Sequence, residues 1–233
     1  MNGTLGRRVP TDWKHVEKFR FATLAPVSVT TAERTLPLPR YRLKYDQGAE
    51  GACVGFGSSW MTSILNRSFY DAPWLWDRAK ERDEWADTNP GDGNGTSVRA
   101  AMDVLRLLGH VKVWHGASQP ADQIHGIAAN RWATQVDEVR TCVAGGTPVV
   151  LGVNWYVNFD HPVKKGTRWW IGEGPLGNVR GGHAVCIYSV KDSIDAVGVV
   201  NNWGAGYPLV MLPYVTLQRL LDEQGEATMV TDR

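Results

Sequence analysis

Gln47-Gly48-Ala49-Glu50-Gly51-Ala52-Cys53 is the stretch that decides the fold. Its glycine-rich approach ends on a cysteine. The residues that follow, Val54, Trp60, Met61, Ile64, Leu65 and Phe69, recur at helical spacing, so Cys53 is expected to open an amphipathic helix running to about Phe69. A thiol attacks carbonyl carbon well only as the thiolate, which needs a cation or a helix N-terminus beside it. The helix places its partial positive charge on the sulfur. Two later segments supply the remaining parts: Gly182-His183-Ala184-Val185 offers an imidazole, and Asn201-Asn202-Trp203-Gly204 offers an amide that can orient it.

The motifs QGxxGxC, GHAV and N-x-W-G, in that order, resemble the papain-like cysteine peptidase family over most of the chain, from about Tyr45 to about Leu221. His183 lies 130 positions after Cys53, which fits the spacing of papain-type enzymes. The resemblance implies an α+β fold of two lobes, with a helical lobe carrying the nucleophile packed against a β-rich, barrel-like lobe. Carried over residue by residue, it makes Cys53 the nucleophile, His183 the general base and acid, and Asn201 the orienter. Gln47, six residues before Cys53, becomes the oxyanion donor, and Trp203 shields the Asn–His hydrogen bond. In the family the asparagine is followed by a small polar residue and then Trp-Gly, so Asn201 aligns and Asn202 stands where serine is usual. The chemistry requires these roles in its own right, since losing one preorganised oxyanion donor typically costs about 100 to 1,000-fold in rate.

The same resemblance makes Gly93 and Gly95, in the loop Asp92-Gly93-Asn94-Gly95-Thr96-Ser97, candidate contacts to a substrate backbone. Gly182 and Trp203 join them as expected substrate-side residues. Read without it, the loop is a plain turn before a helix that Thr96 caps, with Val98, Ala101, Met102, Leu105 and Leu108 on one face and Gly109 as the stop. The chain departs from the family pattern at two positions: Glu50 replaces the cysteine that often pairs in a disulfide, and Val54 replaces the tryptophan after the nucleophile. No long helical propeptide precedes the catalytic region. Shorter bacterial and phage members resemble this chain in GACVGF and GTSxR.

Residues 1–44, with prolines at 10, 26, 37 and 39, read as an extended arm or short pro-segment. The catalytic domain then spans 45–233, with a helical lobe over about 45–133 and a β-rich lobe over about 134–233. A second helix is expected around Pro73 to Trp85. Thr134 to Val143 reads as helical, Pro148 to Phe159, His183 to Val190, Ala196 to Asn201 and Leu209 to Leu212 as strands, and Val215 to Leu221 as a helix.

At 233 residues and 43% hydrophobic, one unit of two lobes is expected. A formal net charge of +1 offers no footprint for nucleic acid or an anionic membrane. Cys142 and Cys186 read as buried apolar residues, and three cysteines make a disulfide framework improbable, which points to a reducing, cytoplasmic or virion-associated setting. His15, His110, His115, His125 and His161 lack a matching motif and read as surface or loop residues, His161 being the one expected near the cleft. No metal is implied, for want of HExxH or a CxxC pair, and no nucleotide cofactor, for want of a P-loop or GxGxxG unit.

The expected activity is a cysteine endopeptidase acting on polypeptides through an acyl-enzyme thioester. Two rivals use the same residues differently. One is a binding protein on the same scaffold, with the arm and some of the eleven tryptophans meeting a protein partner. The other is an acyl transferase or cell-wall amidase sharing the thioester.

Overall fold

The computed structural model describes residues 4–12, 19–20, 31–39, 45–85, 95–114, 117–118 and 124–232. Within the arm, a short strand β1 (Glu33–Thr35) comes first. Helix α1 (Cys53–Asn66) follows, and its first twelve residues, Cys53 to Ile64, are all buried, which makes it the central helix rather than a surface one. Arg67 caps it in the left-handed conformation, so the helix ends at Asn66, three residues before the Phe69 expected from periodicity. Phe69 instead begins β2 (Phe69–Tyr70), which leads into α2 (Ala72–Lys80), capped by Asp71 accepting from the Trp74 N–H at 3.0 Å.

Helix α3 (Val98–Leu107) is capped by Ser97, whose hydroxyl accepts from the Ala100 N–H at 3.1 Å. The cap therefore sits one residue later than the sequence suggests. Thr96 is spoken for, its hydroxyl donating to Asp83 at 2.6 Å. Beyond Gly109, which turns at φ 81°, come β3 (His110–Trp114), β4 (Ala117–Ser118) and β5 (Ile124–His125), and among the described residues they form a four-stranded sheet with β2.

The larger sheet starts with β6 (Ile127–Ala133) and continues after α4 (Val136–Gly145) with β7 (Val149–Tyr156), β8 (Val163–Lys165) and β9 (Arg168–Trp170). Then come β10 (Val179–Lys191), β11 (Ala196–Val200) and β12 (Val210–Pro213). Helix α5 (Tyr214–Asp222) and β13 (Glu226–Asp232) complete the chain. Among the described residues this sheet has nine strands, in the order β6-β13-β7-β10-β11-β12-β9-β8, with β1 added on β10. Pairing is antiparallel except between β12 and β9. The larger sheet takes in residues before 134 because β13 pairs with β6: Ala227 pairs with Ala133 and Met229 with Arg131.

Helix α1 lies against β10, and Gly57 sits where a Cβ would press on the Ala184 carbonyl at 3.3 Å. That close approach brings the first turn of α1 to the strand carrying His183. One continuous core runs through both lobes, from Val54, Met61 and Leu105 to Val153, Ile187 and Leu217. Burial of each such side chain contributes on the order of 2 kcal/mol.

The arm is bound to the body wherever it is described. The Phe19 carbonyl accepts from Trp132, and β1 pairs with Lys191, Val190 and Ser189 on the edge of β10 that β7 has left. Among the described residues no helix is long and apolar enough to cross a membrane, and Cys53, Cys142 and Cys186 are all free and buried.

Candidate active site

Cys53 is the first residue of α1, and the residue before it, Ala52, has no side chain that can cap the helix. The first-turn N–H groups therefore keep their partial positive charge for whatever lies beside the sulfur. The stretch before it is fixed to the far side of the cleft: the Gln47 N–H donates to the Asn202 carbonyl at 2.8 Å, and the Gly204 N–H to Tyr45 at 3.0 Å. The two parts of the sequence motif, 130 residues and more apart, meet through backbone hydrogen bonds.

His183 sits inside β10 opposite Val153, and Asn201 follows the last residue of β11. Their side chains meet at 2.8 Å, His183 Nε2 to Asn201 Oδ1. The same Oδ1 accepts the Asn202 N–H at 2.7 Å, which fixes the amide orientation. A carbonyl oxygen can only accept, so Nε2 carries the proton and Nδ1 is the basic nitrogen of the neutral ring. Asn202 has another task, donating to the Cys53 carbonyl at 3.2 Å and the Ala184 carbonyl at 2.7 Å, so that it ties α1 to β10.

Two tryptophans enclose this pair. Trp203 lies over the imidazole at a tilt of 30°, with centroids 4.9 Å apart, and Trp155 meets it edge-on at 4.6 Å. Trp155 is held by Asp160, which accepts from its indole N–H at 2.8 Å and pairs with Arg180. Trp203 is buried against His183, Trp155 and Tyr207. Trp155 was invisible as a site residue in the sequence, where it reads as one more aromatic in a strand.

The cleft is occupied by the chain's own residues 4–8. Gln47 Nε2 donates to the Thr4 carbonyl at 2.9 Å and to the Glu50 carbonyl at 2.7 Å. The N–H groups of Ala184 and Gly6 both face the Cys53 sulfur. Arg7 donates its N–H to the Gly182 carbonyl, and Arg8 to the Thr96 carbonyl, each at 2.9 Å. The fit depends on missing side chains: a Cβ on Gly95 would fall 1.3 Å from the Gly6 carbonyl oxygen, and one on Gly182 would fall 2.1 Å from that of Arg7. Gly95 and Gly182 thus contact a peptide backbone, here the arm's. Gly93 lies outside the described residues.

With the arm seated, burial dominates the electrostatics. It pushes the Cys53 thiol up to about 11, although the Ala184 and Gly6 N–H groups and the Arg7 charge favour the thiolate. It drives His183 down to about 4, against the Asn201 hydrogen bond that favours the imidazolium. The pair is therefore neutral in this state, whereas the chemistry read from the sequence calls for a thiolate. The reason is desolvation, which penalises both charged forms at once.

Other sequence expectations divide. Cys142 and Cys186 are buried and their thiols are raised by that burial. His110 is fully buried rather than on the surface, hydrogen-bonded through Nε2 to the Ser59 hydroxyl at 2.8 Å and stacked on Trp74. His125 and His161 are exposed, and His15 and His115 lie outside the described residues.

No protein-family model matches the chain, and no curated relative matches it by sequence. Solved structures do match by shape. Xylellain, a cysteine protease from Xylella fastidiosa, superposes with a TM-score of 0.72 at 17% identity, covering 97% of this chain and 95% of that one. Procathepsin L2 from the larval midgut of Tenebrio molitor gives 0.65 at 16% identity, covering 98% and 78%. Procathepsin B from Trypanosoma congolense gives 0.65 at 12%, covering 97% and 87%. The fold is that of the papain-like cysteine proteases.

Proposed function

We propose that this chain, built on the papain-like cysteine protease fold, is a cysteine endopeptidase whose arm holds it closed. The observation that carries the reading is the 2.8 Å bond between His183 Nε2 and Asn201 Oδ1 beside a cysteine at a helix N-terminus. A binding scaffold has no need of that bond in that place.

In the proposed reaction His183 Nδ1 takes the proton from Cys53, and the sulfur attacks the carbonyl carbon of the scissile peptide. The C=O electron pair moves onto oxygen, where the Gln47 side-chain N–H and the Cys53 backbone N–H hold it. Collapse expels the amine, which takes the proton from His183, and leaves a thioester. Water then attacks with His183 again as base, releasing a carboxylic acid and the thiol. Asn201 keeps the imidazole in the required tautomer throughout, and the two tryptophans keep water from competing for that bond.

The arm presents an N–H, that of Gly6, to the sulfur. It fills the trough and engages Gln47, Gly95 and Gly182, which is the behaviour of an inhibitor. Covalent labelling with a substrate-like epoxide tests the reading by intact mass. A single adduct lost in both Cys53→Ala and His183→Ala is the expected result. A folded, reduced protein that takes no adduct even after displacement of the arm would mean a scaffold without chemistry.

A further inference from the structure

Outside the cleft, helix α3 and strand β6 flank a cavity of about 380 Å³. Arg99, Asp103 and Arg106 reach it from α3, where steps of four and three residues set all three on one helix face. Asn130 and Arg131 reach it from β6. Two guanidinium groups converge on Asn130: Arg106 Nη1 donates to its side-chain oxygen at 3.3 Å, and Arg131 Nη1 to its backbone carbonyl at 3.0 Å. Asn130 is only 8% exposed, yet among the described residues its amide N–H groups have no acceptor. Asp103 pairs with Arg106 at 2.6 Å. The Arg99 side chain makes no hydrogen bond or ion pair among the described residues and acts on Glu84 through space alone.

Three guanidinium groups against one carboxylate leave this cavity a formal charge of +2. A concavity lined by one sign of charge concentrates the opposite ion. The planar forks of the arginines suit a tetrahedral oxyanion, whose oxygens each fork can meet two at a time. Phe19 and Trp132 add an apolar wall, so there is room for an organic group on that anion. The next cavity along α3 shares Arg99 and Asp103 but is lined by Asp12, Asp83 and Glu84 against Arg82. The positive potential ends there, which turns away a long polyanion. The first turn of α3 takes no part: the N–H groups of Val98 and Arg99 face the Glu226 carboxyl, which pairs with Arg7 of the arm at 3.1 Å. Side chains alone make the site.

We propose that the cavity between α3 and β6 binds a small organic phosphate monoester, the phosphate held by Arg99, Arg106 and Arg131 and the organic group lying against Phe19 and Trp132. Charge sets the class: such an ester carries close to two negative charges near pH 7.5, its second pKa being about 6, where a carboxylate or a sulfate ester carries one. Phe19 belongs to the arm, and its carbonyl accepts the Trp132 N–H at 3.0 Å, so the ligand rests against the arm at a point separate from the cleft. The assignment does not depend on the endopeptidase reading.

Isothermal titration of the full chain near pH 7.5 with phenyl phosphate, phenyl sulfate, benzoate and inorganic phosphate tests the site. The expected result is one phenyl phosphate per chain, bound at least about tenfold tighter than phenyl sulfate or benzoate. Arg99→Gln removes a side chain that ties nothing in the fold together, and should lower that affinity at least about tenfold. Arg131→Gln should do the same. Phe19→Ala should weaken phenyl phosphate and leave inorganic phosphate as it was. Gly6→Ala is the control for the cleft, since a Cβ there would meet the Gly51 carbonyl oxygen at 1.9 Å and unseat residues 4–8. It should leave the affinity unchanged. Equal affinity for the dianion and the monoanions, or binding that survives both arginine variants, would overturn the assignment. Binding that tightens in Gly6→Ala would place the ligand in the cleft and overturn it too, as would the absence of binding by any of the four probes.

Discussion

The side-chain amide of Gln47 donates to the backbone carbonyl of Thr4 at 2.9 Å, so the donor suited to an oxyanion is holding a neutral carbonyl of its own chain. That contact sits beside a thiol that burial holds at about 11. At pH 8 about one such thiol in a thousand is ionised.

Displacing the arm is therefore expected to wake the thiol. Gly6→Ala should raise the rate of Cys53 alkylation by iodoacetamide at pH 8 by at least about tenfold, because water and the helix N-terminus regain access to the sulfur. Cys142 and Cys186, buried in the core, should stay unmodified. Peptide mapping after timed quenching reads all three, and equal Cys53 rates in wild type and variant would refute the blocking role of residues 4–8.

The oxyanion and orienting roles proposed for Gln47 and Asn201 separate kinetically. In the Gly6→Ala background, Gln47→Ala should lower kcat by about 100 to 1,000-fold with little change in KM, since that donor is needed most when charge develops on oxygen. Asn201→Ala should also lower kcat, and should further displace the pH profile, because His183 loses the acceptor that fixes its tautomer. A Gln47 variant that loses only KM would assign that residue to ground-state binding.

His110 should make the fold acid-sensitive. Burial depresses its pKa from 6.5 to about 3, so the unfolded chain binds a proton that the native state refuses between those values. Its contribution is complete above pH 6.5 and is lost as pH falls toward about 3, with a slope of up to about 1.4 kcal/mol per pH unit. Chemical denaturation at a series of pH values should show a shallower decline for His110→Gln than for wild type. Parallel declines would place the sensitivity elsewhere, His183 being the next candidate.

Asp192 clamps three elements at once. It accepts from Arg140 of α4 at 2.5 Å, from the Tyr214 hydroxyl of α5 at 2.5 Å and from the Ala32 N–H just before β1 at 2.5 Å. Burial alone would raise its pKa, but these donors hold it at about 2, so its contribution is present above pH 3.8 and fades as pH falls through about 2. Asp192→Ala should lower the unfolding free energy by roughly 2 kcal/mol. Hydrogen exchange should show the Leu36 N–H, bonded to the Tyr188 carbonyl, losing protection before the centre of β10 does. Uniform loss across both would deny a local clamp.

The parts of the site that were legible in the sequence are those set by short motifs. Cys53 opens its helix as the apolar spacing requires, His183 falls on β10 and Asn201 directly after the adjoining β11, each within a stretch a few residues long. Strand β13 went unread because it lies between β6 and β7 and is buried on both faces, so Thr228 and Ala227 are equally hidden and no alternation appears. Glu226 went unread for a different reason: its partner Arg7 is 219 positions away, and an isolated acid near the end of a chain carries no local sign of burial. His110 misled because nothing in its neighbours foretells the Ser59 hydroxyl that meets it across the fold.

The pairing of β1 with the far end of β10 has one more consequence. Because β1 fastens the arm to the strand that also bears His183, residues 4–8 remain leashed to the body even when they leave the cleft. Their return is an intramolecular event, governed by an effective concentration that no dilution of the protein can lower. Substrate must outcompete a ligand of fixed local concentration, so occupancy of the trough should be the same in a concentrated and a dilute sample. A single backbone cut between residues 12 and 31 would change the regime, turning the leashed segment into a free peptide whose hold weakens as the solution is thinned.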